Sequence, residues 1–188
     1  FKQSIQKVIG LIRKTHYQRK SKHLRYSLKS IGNNCSFSFP ITTYGLENVS
    51  IGDSFKCGER LKLRTFNEWG GQKLTPEIKN REQRINESDC HISAINNVSI
   101  GDNVLIASFV YISDHSHGAV TSEELGLPPL QRSLYSKGPI EIGSNVWIGE
   151  KVCILPNVKI GEGAIIGAGS VVTKDIPARS VAVGIPQK

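Results

Sequence analysis

No methionine occurs in this chain, and it begins at Phe1, so a natural start is expected upstream of the sequence in hand. No apolar run is long enough to span a membrane. No signal-peptide core stands at the N-terminus shown. Cysteine is scarce: Cys35, Cys57, Cys90 and Cys153 form no CxxC pair. The chain is too long and too repetitive for a disulfide scaffold. Four isolated thiols fit a reducing, cytoplasmic compartment. Acidic residues are missing from positions 1–46, which hold nine Lys or Arg; the remainder is nearly balanced. The net charge of +8 is therefore local. No recognised nucleic-acid module accompanies it, so nucleic acid is not an expected partner. Hydrophobic residues make up only 38% of the 188 positions, which suits one domain with a thin core.

What the chain does have is a repeat. From Ile142 it reads in sixes: IGSNVW, IGEKVC, ILPNVK, IGEGAI, IGAGSV, VTKDIP. The first position is always Ile or Val, and the second is mostly Gly. A period of six is a period of two interrupted by turns. In Val146-Trp147-Ile148 the outer side chains share one face and Trp147 takes the other. Gly and Asn tolerate the positive φ that the corners demand. One such unit cannot bury its apolar face, but stacked coils can. The pattern predicts an all-β solenoid with Val and Ile inside.

Other segments attach to this frame. Residues 4–28 read as a helix with Ile5, Val8, Ile9 and Ile12 on one face. Such a helix would cap the open end of the solenoid, or lie on an anionic membrane surface. Residues 1–30 are taken as this basic cap and 31–186 as the solenoid. Units recur at IGNNCS from Ile31, at VSIGDSFKCGERLKL with Cys57 inward, and at DCHISAINNVSIGDNVLIASFVYIS. Residues 64–87 lose the pattern and read as a projecting loop or a partly helical excursion. Residues 118–139 form a second loop.

Asp114-His115-Ser116-His117 stands just before that second loop. By phase, 113–115 is a corner, Ser116 is the next inward residue, and His117 points outward. A corner His beside a long insertion is a candidate catalytic group, although an exposed His alone is more often inert.

The segment HISAINNVSIGDNVLIASFVYISDHSHG, followed by SKGPIEIGSNVWIGEKVCILPNVKIGEGAIIGAGSVVTKDIP and AVGIP, resembles the hexapeptide-repeat acetyltransferases. The similarity is greatest to bacterial enzymes that O-acetylate O-antigen or capsule sugars. It extends to galactoside, maltose and nodulation-factor acetyltransferases. It covers residues 88–186 well and 1–87 poorly. The resemblance implies a left-handed parallel β-helix, triangular in section, with eighteen residues per coil. Sequence reasoning alone points the other way, because parallel crossovers are nearly always right-handed.

The resemblance also implies chemistry. His115 would be the general base that removes a sugar hydroxyl proton as the oxygen attacks the thioester of acetyl-CoA. No acyl-enzyme is expected, since no Ser or Cys is presented with a base and an orienter. Asp114 adjoins His115, pointing toward it or away. Asn97 lies eighteen residues earlier and would share its corner, unless it is only a turn residue. His117, Asp89 and His91 are candidate acceptor contacts, the last two at another corner. Trp147, outward on a regular coil, matches a Trp beside the acetyl and pantetheine groups. Gly149 and Ala168 match positions where small residues admit the pantetheine arm. Thr173, Lys174 and, more weakly, Arg179 match residues near the coenzyme phosphates. Arg132 and Lys137 flank the end of the second insertion. An Arg there either clamps an anionic sugar or phosphate or is solvated. The family places its active sites between subunits of a homotrimer, so a trimer is expected.

The leading expectation is an acetyl-CoA-dependent O-acetyltransferase acting on a surface polysaccharide or its precursor, in the cytoplasm or at the inner membrane face. An N-acetyltransferase of a nucleotide-linked aminosugar shares fold and coenzyme. A β-helical metal enzyme of the carbonic anhydrase type needs three suitably spaced His, which His91, His115 and His117 do not supply. No metal is expected. A purely structural solenoid has no use for DHSH beside a loop or for an outward Trp147.

Overall fold

A computed structural model describes residues 19–81, 83–85 and 88–187. The hexads fold as the alternation predicts. Each contributes a strand of two to four residues, and successive strands enter three different parallel sheets in turn. The first sheet carries Glu77–Asn80, Asn97–Ile100, Ile140–Ile142 and Val158–Ile160. The second carries Val104–Ile106, Trp147–Ile148, Ile165–Ile166 and Val181–Ala182. The third carries Thr42–Tyr44, Lys62–Thr65, His91–Ala94, Tyr111–Ser113, Cys153–Ile154 and Val171–Val172 in spatial order.

The core is a stack of the inward residues. Ile106, Ile112, Ile140, Ile148 and Ile154 are all completely buried, each contributing roughly 1.5–3 kcal/mol. Corners use left-handed backbone as expected at Asn103, Asn145 and Asn157, but also at Phe109 and Lys151. Cys57 is inward and buried, which pushes its thiol up to about 12.

Coil length is not uniform. Ile140 pairs with Val158, eighteen residues on, but Ile92 pairs with Ile112, twenty residues on. The early coils are therefore longer than the expected eighteen.

The excursion at 64–87 is smaller than its composition suggests. Lys62–Thr65 is a coil strand, and a hairpin follows, Glu68–Trp69 against Gln72–Lys73, turning on Gly70 and Gly71. Glu77–Asn80 and Gln83–Ile85 are again coil strands, with Ile78 buried. Neither is helical. In Glu77–Asn80 the outward Glu77 and Lys79 and the inward Asn80 are all polar, so Ile78 alone carries the apolar signal of the repeat.

The second insertion is an arm. Ser116–His117 pairs antiparallel with Leu134–Tyr135. A one-turn helix, Ser122–Leu125, sits at its tip, where the Thr121 hydroxyl accepts from Glu124 N–H. At the N-terminal end, residues 19–27 are helical, and Leu24 and Leu28 join the core cluster. Ile5, Val8, Ile9 and Ile12 lie outside the described residues.

Candidate active site

The third sheet carries the polar cluster. Strand Tyr111–Ser113 runs to a buried Ser113, and the chain then leaves the coil. Asp114 sits at this exit, fully buried. Backbone N–H groups of Ile95 and Asn96, one coil earlier, donate to its two carboxylate oxygens, each at 2.9 Å. These bonds lock the side chain. His115 Nδ1 lies 3.0 Å from Asp114 Oδ1, and the imidazole is only 10% exposed. Ser113 Oγ lies 3.3 Å from the same nitrogen and donates to the His115 carbonyl. Both Asp114 oxygens accept backbone hydrogen bonds, and a carboxylate offers no proton in return, so the tautomer that pairs with it carries the proton on Nδ1. The lone pair then resides on Nε2, the state a general base needs.

The two insertions meet above this histidine. Trp69 Nε1–H donates to the Arg132 carbonyl, and Gln72 exchanges two hydrogen bonds with the backbone of Leu134. Phe66 packs edge-on against His115, with ring centres 5.9 Å apart, and Trp69 against His117 at 5.0 Å. Beneath them is a cleft of about 1040 Å³. Its lining includes Arg64, His91, His115, His117, Lys137 and Thr173.

His91 stands one coil before Tyr111, edge-on to its ring at 5.1 Å. Its Nε2 is buried and has no hydrogen-bond partner among the described residues. Burial, then the charges of Arg64, Lys62 and His115, push its pKa down to about 4. It is a neutral imidazole facing a cationic cleft.

Several sequence expectations need correction. Asn97 does not share the corner of His115. With a coil of twenty here, Ile95 is the residue below His115, and Asn97 opens a strand of the first sheet beside Glu77. Asp114, and not Asn97, lies against His115 Nδ1. Ser116 is not inward, because the arm begins there and exposes it. His91 lies in a strand and not at a corner. Asp89 is at a corner, but it accepts two hydrogen bonds from Arg60 at 2.7 and 2.8 Å and does not line the cleft. That ion pair pulls the Asp89 pKa down. Arg132 does not line the cleft either; its Nε–H donates to the Leu127 carbonyl within the arm. Lys137 does reach the cleft.

The coenzyme candidates separate in space. Trp147 is 51% exposed, but on the second sheet, in register with Leu105, Ile165 and Val181. All four side chains are exposed. A Cβ on Gly149 would come within 2.7 Å of the Ala168 backbone nitrogen, so coil stacking by itself requires glycine there. Ala168 is exposed one coil later. Thr173 lines the cleft, while its N–H and hydroxyl both donate to Gln187 Oε1. Lys174 and Arg179 are exposed, and neither has an ion pair among the described residues. Phe66, Trp69 and Arg64 were missed by sequence reading. Trp69, one of only two tryptophans, was the available signal.

Known proteins share this pattern. Residues 139–174 match the bacterial transferase hexapeptide (six repeats) family. WbbJ of Escherichia coli strain K12, an O-acetyl transferase assigned to lipopolysaccharide biosynthesis, is 35% identical over 154 residues, 80% of this chain and 74% of that protein. The chain belongs to the hexapeptide-repeat acetyltransferases. It is thus an acyltransferase. A solved galactoside acetyltransferase in complex with coenzyme A matches 91% of this chain and 68% of its own, at 31% identity and a TM-score of 0.60. AntD, an N-acyltransferase from Bacillus cereus, matches at 19% identity and a TM-score of 0.72, a likeness of fold.

Proposed function

We propose that the protein transfers acetyl from acetyl-CoA to a sugar hydroxyl of a bacterial surface polysaccharide or its precursor, with His115 as general base. The observation that carries this is the Asp114–His115 pair, fixed by two backbone amides and opening into the cleft. Acetyl-CoA supplies the acetyl thioester. His115 Nε2 takes the hydroxyl proton as the acceptor oxygen bonds to the acetyl carbon. The carbon–sulfur bond breaks, and His115 returns the proton to the departing sulfur. Asp114 holds the ring and balances the imidazolium that forms between these events.

The coenzyme fits what the chain presents. The cleft continues past His115 to Leu155, Pro156 and Thr173 on later coils, and Lys174 and Arg179 are exposed cations suited to phosphate. His117 and His91 are assigned to the acceptor. We assign the coil the left-handed form that the family resemblance implies. The exposed column Leu105, Trp147, Ile165 and Val181 is assigned to a subunit contact of a homotrimer, where Trp147 would reach a neighbour's cleft. Leu24 and Leu28 support the capping role of the N-terminal helix, and its basic residues suit a membrane-held acceptor. Among the described residues no helix is long and apolar enough to cross a membrane.

The test is acetyl transfer to a panel of neutral and acidic sugars, each in O- and N-acceptor form, followed by free CoA and mass spectrometry. Ester products from wild type, absent with His115→Ala, are expected. Exclusive amide products would replace this reading with the aminosugar N-acetyltransferase.

A further inference from the structure

The cleft is divided by His115. Along the outer face of the third sheet, Arg64, Ser93 and Ser113 occupy successive coils in register. Thr173 lies two coils beyond, past Leu155. If the coenzyme runs toward Thr173, the acceptor occupies the side of Arg64.

That side carries positive charge with nothing to balance it. Arg64 is half-buried on its strand, and its side chain has no hydrogen bond or ion pair to any described residue. Lys137 also enters the cleft without an ion pair among the described residues, but next to Gly138, which packs on Asn157 toward Thr173. No Asp or Glu is among the described residues that line the cleft. Asp114 lies behind the lining, its oxygens engaged with Ile95, Asn96 and His115. Ser93 pairs with Arg64, and two residues before it on that strand, on the same outward face, the buried Nε2 of His91 lacks a partner among the described residues. A half-buried arginine without a counter-ion and an orphaned ring nitrogen, on the outward face of adjacent strands, are both groups that a bound oxyanion would satisfy. Arginine's planar fork suits a two-oxygen anion such as carboxylate or phosphate.

We propose that Arg64, with His91, forms an anion subsite, and that the acceptor sugar carries a carboxylate or phosphate close to the hydroxyl acetylated. The proposal rests on the acetyltransferase reading for the chemistry, but not for the binding. Selectivity follows from desolvation: a neutral acceptor covers the half-buried Arg64 and leaves it unpaired, and an anionic one pairs it.

Two measurements separate the inference from the reading beneath it. The first is saturation-transfer NMR of glucose, glucuronic acid and glucose 1-phosphate against CoA-saturated enzyme, without turnover. Binding of one or both anionic sugars above glucose, abolished in Arg64→Gln and partly restored in Arg64→Lys, is expected. Glucuronic acid and the phosphate ester distinguish the carboxylate from the phosphate source. The second is acetyl transfer to the same three sugars. The anionic-to-neutral ratio of kcat/KM should be about tenfold or more in wild type and near one in Arg64→Gln, with the change in KM. Arg64-dependent binding without transfer upholds the subsite and overturns the reaction. Transfer that favours glucose, or an anion preference that survives Arg64→Gln, overturns the subsite and leaves the reaction standing.

Discussion

Asp114 Oδ1 lies 3.0 Å from His115 Nδ1, while the carboxylate accepts backbone N–H groups from Ile95 and Asn96 on the preceding coil. The rigid stack of coils therefore sets the orientation of the imidazole. Asp114→Asn tests this directly. An amide group would face a backbone N–H or His115, and the preferred tautomer would reverse. Turnover should fall by about 10²–10⁴, and stability by about 1–3 kcal/mol from the unpaired amide. Steady-state kinetics with a denaturant titration checks both.

Gly149 separates a packing requirement from a coenzyme contact. A methyl group there would meet Ala168 N at 2.7 Å and Ile166 O at 2.9 Å, both backbone atoms that cannot swing aside. Gly149→Ala should cost about 1–3 kcal/mol, read as a lower urea midpoint at unchanged slope. A normal midpoint with weakened coenzyme binding would return the residue to the coenzyme.

His91 makes stability depend on pH in a stated direction. Its folded pKa is about 4, below the ordinary 6.5, so the folded state binds fewer protons than the unfolded one. Stability from this group is complete above 6.5 and is lost as pH falls toward 4. The wild-type melting temperature should drop through that window more steeply than that of His91→Asn. Parallel curves would contradict the burial of a neutral imidazole.

Trp69 ties the hairpin to the arm through its bond to the Arg132 carbonyl and its ring contact with His117. Trp69→Phe keeps the ring and removes the hydrogen bond. The acceptor KM should rise several-fold, with kcat changed less and coenzyme affinity unchanged. Calorimetric titration with CoA and acceptor kinetics distinguish these outcomes.

The regular half of the chain was legible because each inward position repeats its neighbour's chemistry. Val146, Ile148, Val152 and Ile154 are all buried, as the sixes require. The site was legible as a segment, Asp114 to His117, but not as a geometry. A coil of twenty in place of eighteen puts Asn97 on another sheet and leaves Asp114 as the residue against His115 Nδ1. That length depends on corner residues that the hexad pattern does not count. The hairpin at Glu68–Lys73 was hidden for a related reason: its partners, Arg132 and Leu134, lie more than sixty residues away. Arg64 escaped because a cation on an outward strand position looks solvated until the cleft that it lines is seen.

The central claim is that His115 is the base for acyl transfer. The most direct measurement is the rate of CoA release from acetyl-CoA with a saturating sugar acceptor, for wild type and His115→Ala, beside the coenzyme dissociation constant of each. Release slowed by about 10²–10⁴ in the variant, at unchanged folding and coenzyme affinity, is the predicted result. Near-normal release by His115→Ala would contradict the account and remove the Asp114–His115 pair from the chemistry.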